Sequence, residues 1–252
     1  MEKINQFSVQ RLFLLMKRHL IMNIKTWLIG LGAISGVLIV IALLQSYATG
    51  FFNLESLLST GITFIFIAGY IITSAAYSEI HTPARGQFYL ILPANTFEKL
   101  LSNWLLTSIV YILVAHILLS IVLVIAGLLS SLIFSTHLDF YNPFTSAGLK
   151  NMGIYLVTQS VFFLGALYFR KNNLLKTLLG IFVIIIAMSL ILSLFGWIIL
   201  GNYNQINEES LPSQGMELFT VTIPHIARIL FWGLTAPFFL TVSYFKLKER
   251  EV

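Results

Sequence analysis

Six apolar runs, each long enough to cross a lipid bilayer, dominate this chain of 252 residues: approximately 27–46, 57–76, 102–133, 152–169, 177–200 and 226–245. A spanning helix needs about 20 mostly apolar residues. Lipid offers backbone N–H and C=O groups no partners, so runs of this length satisfy them internally and fold as helices. Charged residues make up 10% of the chain, against roughly 25% in soluble domains, too few to cover a water-facing surface. The expected fold is an all-α polytopic membrane protein, a single transmembrane domain over 1–252 with six transmembrane helices.

The charges sort by side. Lys3, Arg11, Lys17, Arg18 and Lys25 precede the first run, and Arg85 and Lys99 separate the second from the third. Arg170, Lys171 and Lys176 separate the fourth from the fifth, and Lys246, Lys248 and Arg250 follow the sixth. Thirteen of the fifteen basic residues thus fall on one side, leaving Lys150 opposite and Arg228 just inside the last run. The positive-inside rule then predicts that both termini are cytoplasmic. A net charge of +5 is here a topology signal, and no nucleic-acid partner is expected. The first run is too long for a signal-peptide core, so it is expected to stay as an anchor. The chain has no cysteine, which excludes disulfides, thiolate metal sites and cysteine nucleophiles.

Ahead of the first run, 7–22 is imperfectly amphipathic. Val9, Leu12, Phe13, Met16 and Leu20 share one helical face, and Arg11 and Arg18 lie opposite. We expect an N-terminal amphipathic interfacial helix over 5–22; a soluble-facing partner helix and an early start to the first span are the alternatives. The third run, extended back to Thr96, would be about 55 to 60 Å long as one helix, well beyond a ~30 Å hydrocarbon core. It must tilt, break near Gly127 or protrude. Of the external loops, 201–224 is the longest, and reads either as a re-entrant element or as a disordered acidic loop.

Catalytic signatures are missing from the sequence. There is no Gly-Lys pair for a P-loop, and neither HExxH nor GxSxG occurs. We therefore expect no catalytic residue, no metal site and no cofactor in this chain. Gly32 and Gly36 form a GxxxG pair in the first run, which reads as a subunit interface or as intrachain packing. The polar residues within the runs are few. His116 reads as a substrate contact or proton relay, or as a neutral imidazole bonded to a neighbour such as Gln159. Arg228 reads as an anion grip, or as a side chain reaching for the headgroups. These three form a weak candidate for a substrate pathway. Pro237 is expected to bend the last helix.

One polar and aromatic island, 79–99, lies between the second and third runs. It contains Glu79, His81, Arg85, Phe88, Tyr89, Glu98 and Lys99. Thr82 followed by Pro83 has the form of an N-cap and first helical residue, and Asn95 with Glu98 that of a capping box. The expected conformation is a short surface helix, a sharp turn at Leu92 and Pro93, and the start of a long apolar helix.

The segments Pro83-Ala84-Arg85-Gly86 and Tyr89-Leu90-Ile91-Leu92-Pro93-Ala94-Asn95-Thr96-Phe97-Glu98-Lys99 resemble the approach to span three in membrane subunits of ABC transporters of the ABC-2 export type. The order of elements resembles that family over nearly the whole chain. The resemblance implies a permease subunit of the bacterial cytoplasmic membrane, without its own nucleotide site. A separate ABC ATPase, binding ATP and Mg, would dock on the island through the seven residues named above. It also implies a dimer with a second copy or a related permease. A secondary transporter or channel, and a noncatalytic membrane scaffold, are the alternative readings.

Overall fold

The computed structural model describes residues 7–135, 140–200 and 221–251. Six helices among them are long and apolar enough to cross a membrane. They are α1 (Val9–Thr49), α2 (Leu54–Ala75), the continuous run Thr96–Phe134, α6 (Ser146–Tyr168), α7 (Asn173–Leu200) and the run Ile223–Arg250. The third run comprises α4 (Thr96–Leu105), a π-helical turn (Leu106–Val110) and α5 (Tyr111–Phe134). The sixth comprises α8 (Ile223–Ile229), a π-helical turn (Leu230–Thr235) and α9 (Ala236–Glu251). A short helix α3 (Pro83–Leu90), preceded by a 3₁₀ turn (Ser78–His81), joins α2 to α4. The expectation for the loop at 201–224 falls mostly on 201–220, outside the described residues.

The N-terminal segment is not a separate helix. Nothing between Met22 and Trp27 stops a helix, since the intervening residues include no Gly or Pro, and α1 runs unbroken for 41 residues. At ~1.5 Å per residue it is about 60 Å long, twice a ~30 Å hydrocarbon core. The third run is also continuous, and Gly127 sits buried within α5 rather than at a break. Its irregularity falls at the π-turn instead. A π-turn widens the helix by one residue and redirects backbone carbonyls, and here the Tyr155 hydroxyl donates to the Thr107 carbonyl at 2.9 Å. A second π-turn lies just before Pro237, whose missing N–H cannot close an ordinary turn.

The turns obey local chemistry. Gly50 closes α1 in the left-handed region at φ 75°, its N–H donating to the Ser46 carbonyl at 2.9 Å. Asn53 caps α2 by accepting from the Ser56 amide at 3.0 Å. The core of the bundle is formed by Leu38 and Ala42 of α1, Leu57 and Ile65 of α2, Tyr111, Leu119 and Leu123 of α5, and Tyr155 of α6. A second core gathers Tyr77, Tyr89, Leu100, Phe163, Leu167 and Leu247, tying the island to the ends of α6 and α9. By contrast, no residue in the apolar window of α7 is buried among the described residues. Its apolar surface all round is the pattern of a helix facing lipid.

Candidate functional site

The island folds as a compact unit at one end of the bundle. Its helix α3 starts at Pro83 after an extended Thr82, as the sequence suggests. The Thr82 hydroxyl does not cap it, however, and donates instead to the Glu79 carbonyl at 2.8 Å. The turn after α3 brings the Ala94 amide to the Leu92 carbonyl at 2.7 Å. The capping box at Asn95 and Glu98 is formed as expected. Gly86 packs against the 3₁₀ turn so closely that an added Cβ would stand 3.0 Å from the Ile80 carbonyl oxygen.

Glu98 does more than cap. Its side chain is fully buried, and its carboxylate accepts from the Ser8 amide at 2.6 Å, the Asn95 amide at 3.0 Å and Arg11 through Nη2 at 2.8 Å and Nε at 3.1 Å. A carboxylate with this many charge-assisted donors is held in one geometry. Arg18, two turns further along α1, pairs with Glu79 at 2.8 Å. A seven-residue spacing puts Arg11 and Arg18 on one helical face, and that face meets the island. Leu12, Leu15 and His19 are buried along it, while Val9 and Phe13 of the expected apolar face are exposed.

Tyr89 occupies the centre. Its ring is 1% exposed and lies edge-on to Tyr77 at 6.4 Å and to His19 at 6.1 Å. The Arg18 guanidinium and the Lys99 ammonium each approach it at 5.9 Å, within cation–π range. Its hydroxyl accepts from Asn103 Nδ2 at 3.1 Å. His81 makes the remaining link: its Nε2–H donates to the Ala166 carbonyl at 2.8 Å, and its Nδ1 accepts from Arg250 Nη1 at 3.2 Å. Burial holds this imidazole below the ordinary histidine range, and the positive charges of Arg250 and Arg170 push the same way. The neutral Nε2–H tautomer satisfies both contacts.

These contacts correct the expected partner surface. Tyr89, Glu98 and Lys99 are buried within the chain, so they brace the island and cannot touch a docked protein in this conformation. Glu79 is mostly covered by its bond to Arg18, and His81 is engaged with α6 and α9. Phe88 projects outward at 75% exposure, beside Ile91 at 76%. Phe97, partly exposed, stands edge-on to Phe7 at 6.0 Å. For Arg85 the structure describes only the backbone, as part of α3. Arg11, Arg18 and His19 are the members that sequence reasoning missed, and the i, i+7 spacing of the two arginines was the available signal.

The three residues of the weak pathway do not converge. Gln159 is buried, its Nε2 donating to Thr107 Oγ1 at 2.9 Å and to Thr73 Oγ1 at 3.3 Å. His116 does not bond to it. Its Nδ1–H donates to the Ile112 carbonyl of its own helix at 3.0 Å, and Nε2 is buried without a partner. Arg228 is exposed on α8. Among the described residues, no group of three or more His, Asp or Glu side chains could hold a metal ion.

Six lipid-length helices, an apolar outer surface and a polar end braced by ion pairs define a multi-pass helical membrane protein. Comparison of this chain with protein-family models, curated proteins and solved structures gave no match.

Proposed function

We propose that this chain is the membrane-spanning permease subunit of an ATP-driven exporter of the ABC-2 type, residing in a bacterial cytoplasmic membrane and driven by a separate ATPase docked on the island. The observation that carries the reading is the two-sided construction of α3. Tyr89 is fastened inside by α1, α4 and Tyr77, just ahead of the 3₁₀ turn, while the adjacent Phe88 is presented outside. An exposed aromatic on a short helix suits insertion into a partner's pocket, because aromatic anchors dominate docking energies. The Glu98–Arg11 and Glu79–Arg18 bonds join α4 and the 3₁₀ turn, the two elements that flank that helix, to α1, and His81–Arg250 joins the 3₁₀ turn to α9. A push on α3 would therefore move three membrane helices as one body. ATP and Mg would be held by the partner ATPase. A second permease, identical or related, completes the assembly.

The test is copurification. An ATPase should accompany the wild-type protein from its native membrane, and Phe88→Ala or Arg85→Glu should reduce that association at least ten-fold without changing membrane insertion. If no ATPase accompanies the wild-type protein, or both variants retain it fully, the exporter reading fails. The buried Gln159, Thr107 and Thr73 network would then favour a secondary transporter.

A further inference from the structure

A recess of about 550 Å³ opens where α2 ends, the 3₁₀ turn follows and the link from α6 turns into α7. That volume is in the range of small-ligand sites, about 300 to 1,000 Å³. The α6–α7 link contributes the exposed Arg170 and Lys171, while α2 and the 3₁₀ turn contribute the buried Ser74 and the half-buried His81. Its walls are fixed to one another. Asn173 Nδ2 donates to the Ser74 carbonyl at 3.2 Å and to the Ala166 carbonyl at 3.4 Å, and a Cβ at Gly165 of α6 would collide with Thr177 of α7.

The charge of the recess is one-sided. Neither Arg170 nor Lys171 has a hydrogen-bond or ion-pair partner among the described residues, and no carboxylate lines the recess. Glu79, next to Ser78 in the chain, is turned to Arg18. His81 spends both ring nitrogens on Ala166 and Arg250, so it adds no free donor. Arg170 and Arg250 act together on that imidazole, and these two like charges share the neighbourhood without a counter-charge among the described residues.

Donors line the recess without acceptors to meet them. The Ser74 side chain is 6% exposed and its Oγ has no hydrogen-bond partner, which costs free energy in a buried hydroxyl. The first turn of α7 also lines the recess, and the opening amides of a helix lack partners within it and favour negative charge. Cations, hydroxyl and amides together suit an oxyanion with several acceptor oxygens. Ile71 and Leu175, lining the same recess, are 50% and 64% exposed, and Leu175 continues into the apolar outer face of α7. An anion that carries acyl chains satisfies both the donors and this apolar flank, whereas a water-soluble anion covers the donors alone.

We propose that this recess binds the phosphate of an anionic phospholipid, held by Arg170, Lys171 and the Ser74 hydroxyl, with its acyl chains along Ile71 and Leu175. Basic pockets between helices at a membrane face recognise such headgroups. The site depends on the membrane fold alone and is independent of the exporter reading.

Native mass spectrometry of the delipidated full chain in detergent counts bound lipids directly. The protein is titrated in separate arms with phosphatidylglycerol, phosphatidylcholine of the same acyl chains, and soluble glycerol phosphate. The first phosphatidylglycerol should bind about ten-fold more tightly than the first phosphatidylcholine, and glycerol phosphate at equal concentration should not displace it. Arg170→Gln with Lys171→Gln removes two exposed charges, so this variant should fold and should lose the preference for the anionic lipid. Lys246→Gln with Lys248→Gln removes the same charge outside the recess, and should leave the first binding constant unchanged within experimental error. Ser74→Ala deletes a hydroxyl that has no partner, so the lipid-free protein should keep its unfolding midpoint while its affinity for phosphatidylglycerol falls about three-fold. Equal affinity for the two lipids, an equal loss in both charge variants, displacement by glycerol phosphate, or unchanged binding in Ser74→Ala overturns the proposal.

Discussion

Arg11 and Glu98 stand 87 positions apart in the chain, and a two-pronged bond joins them, Nη2 to Oε1 at 2.8 Å and Nε to Oε2 at 3.1 Å. The pair fastens the start of α1 to the start of α4, so the two longest runs leave the membrane body together. Glu98 is fully buried and Arg11 mostly covered. Removing the arginine therefore strands a charge where water cannot reach it. Arg11→Ala should destabilise the detergent-solubilised protein by about 3 kcal/mol, the usual loss on breaking a buried pair from one side. Arg11→Met combined with Glu98→Gln, which keeps the capping geometry, should recover more than half of that loss. Thermal unfolding midpoints of the single and double variants decide it, and equal midpoints would mean that the pairing contributes nothing.

Two glycine sites separate packing within the chain from packing outside it. At Gly69 a Cβ would collide with the side chains of Tyr155 and Tyr111, which carry bonds to Thr107 and Ile65. Gly69→Ala should cost about 1 to 3 kcal/mol, as overpacking does. At Gly32 and Gly36 nothing among the described residues lies within 4 Å of where a Cβ would stand, so packing against those residues does not explain that GxxxG pair. Gly32→Ala and Gly36→Ala should leave the unfolding midpoint of the monomer unchanged within experimental error. A loss at Gly36 matching that at Gly69 would contradict the arrangement of α1.

His81 makes the attachment of α9 dependent on pH. Its folded-state pKa lies below the ordinary 6.5, so between those two values the unfolded chain binds more protons than the folded one. Stability is therefore complete above about pH 6.5 and is lost as pH falls through that window. Protonating Nδ1 removes the acceptor for Arg250 and sets two cations against each other. Hydrogen exchange in 236–251 should accelerate between pH 7.5 and pH 5.5 beyond its intrinsic change. His81→Gln can donate to Ala166 and accept from Arg250 without titrating, and should abolish the extra acceleration. An identical pH response in the variant would place the titration elsewhere.

The island and the turn before α6 should lie on opposite sides of the membrane. The chain has no cysteine, so single cysteines at the exposed positions Gln87 and Asn142 report without background. In intact cells an impermeant thiol reagent should label Asn142→Cys and spare Gln87→Cys. The reverse pattern would invert the orientation and remove the basis for a cytoplasmic ATPase.

What the sequence determined by itself is local. Six helices follow from run length, because lipid leaves the backbone no other way to pair, and the start of α4 follows from the spacing of Asn95 and Glu98. The Gly50 turn and the short helix behind Pro83 are equally local. Tertiary structure decided which faces turn inward. The arginine face of α1 reads as a headgroup contact when its own periodicity is the only guide. It turns into the protein because Glu79 and Glu98, far along the chain, offer buried counter-charges. Tyr89 and Phe88 are chemically alike and adjacent, yet one is a buried hub and the other a projecting ring. Gln159 and His116 could have bonded across the bundle, but the π-turn directs Thr107 to Gln159 and leaves His116 to its own helix. In each case the sequence supplies the groups, and their distance in space, set by helices packing tens of residues apart, chooses the partners.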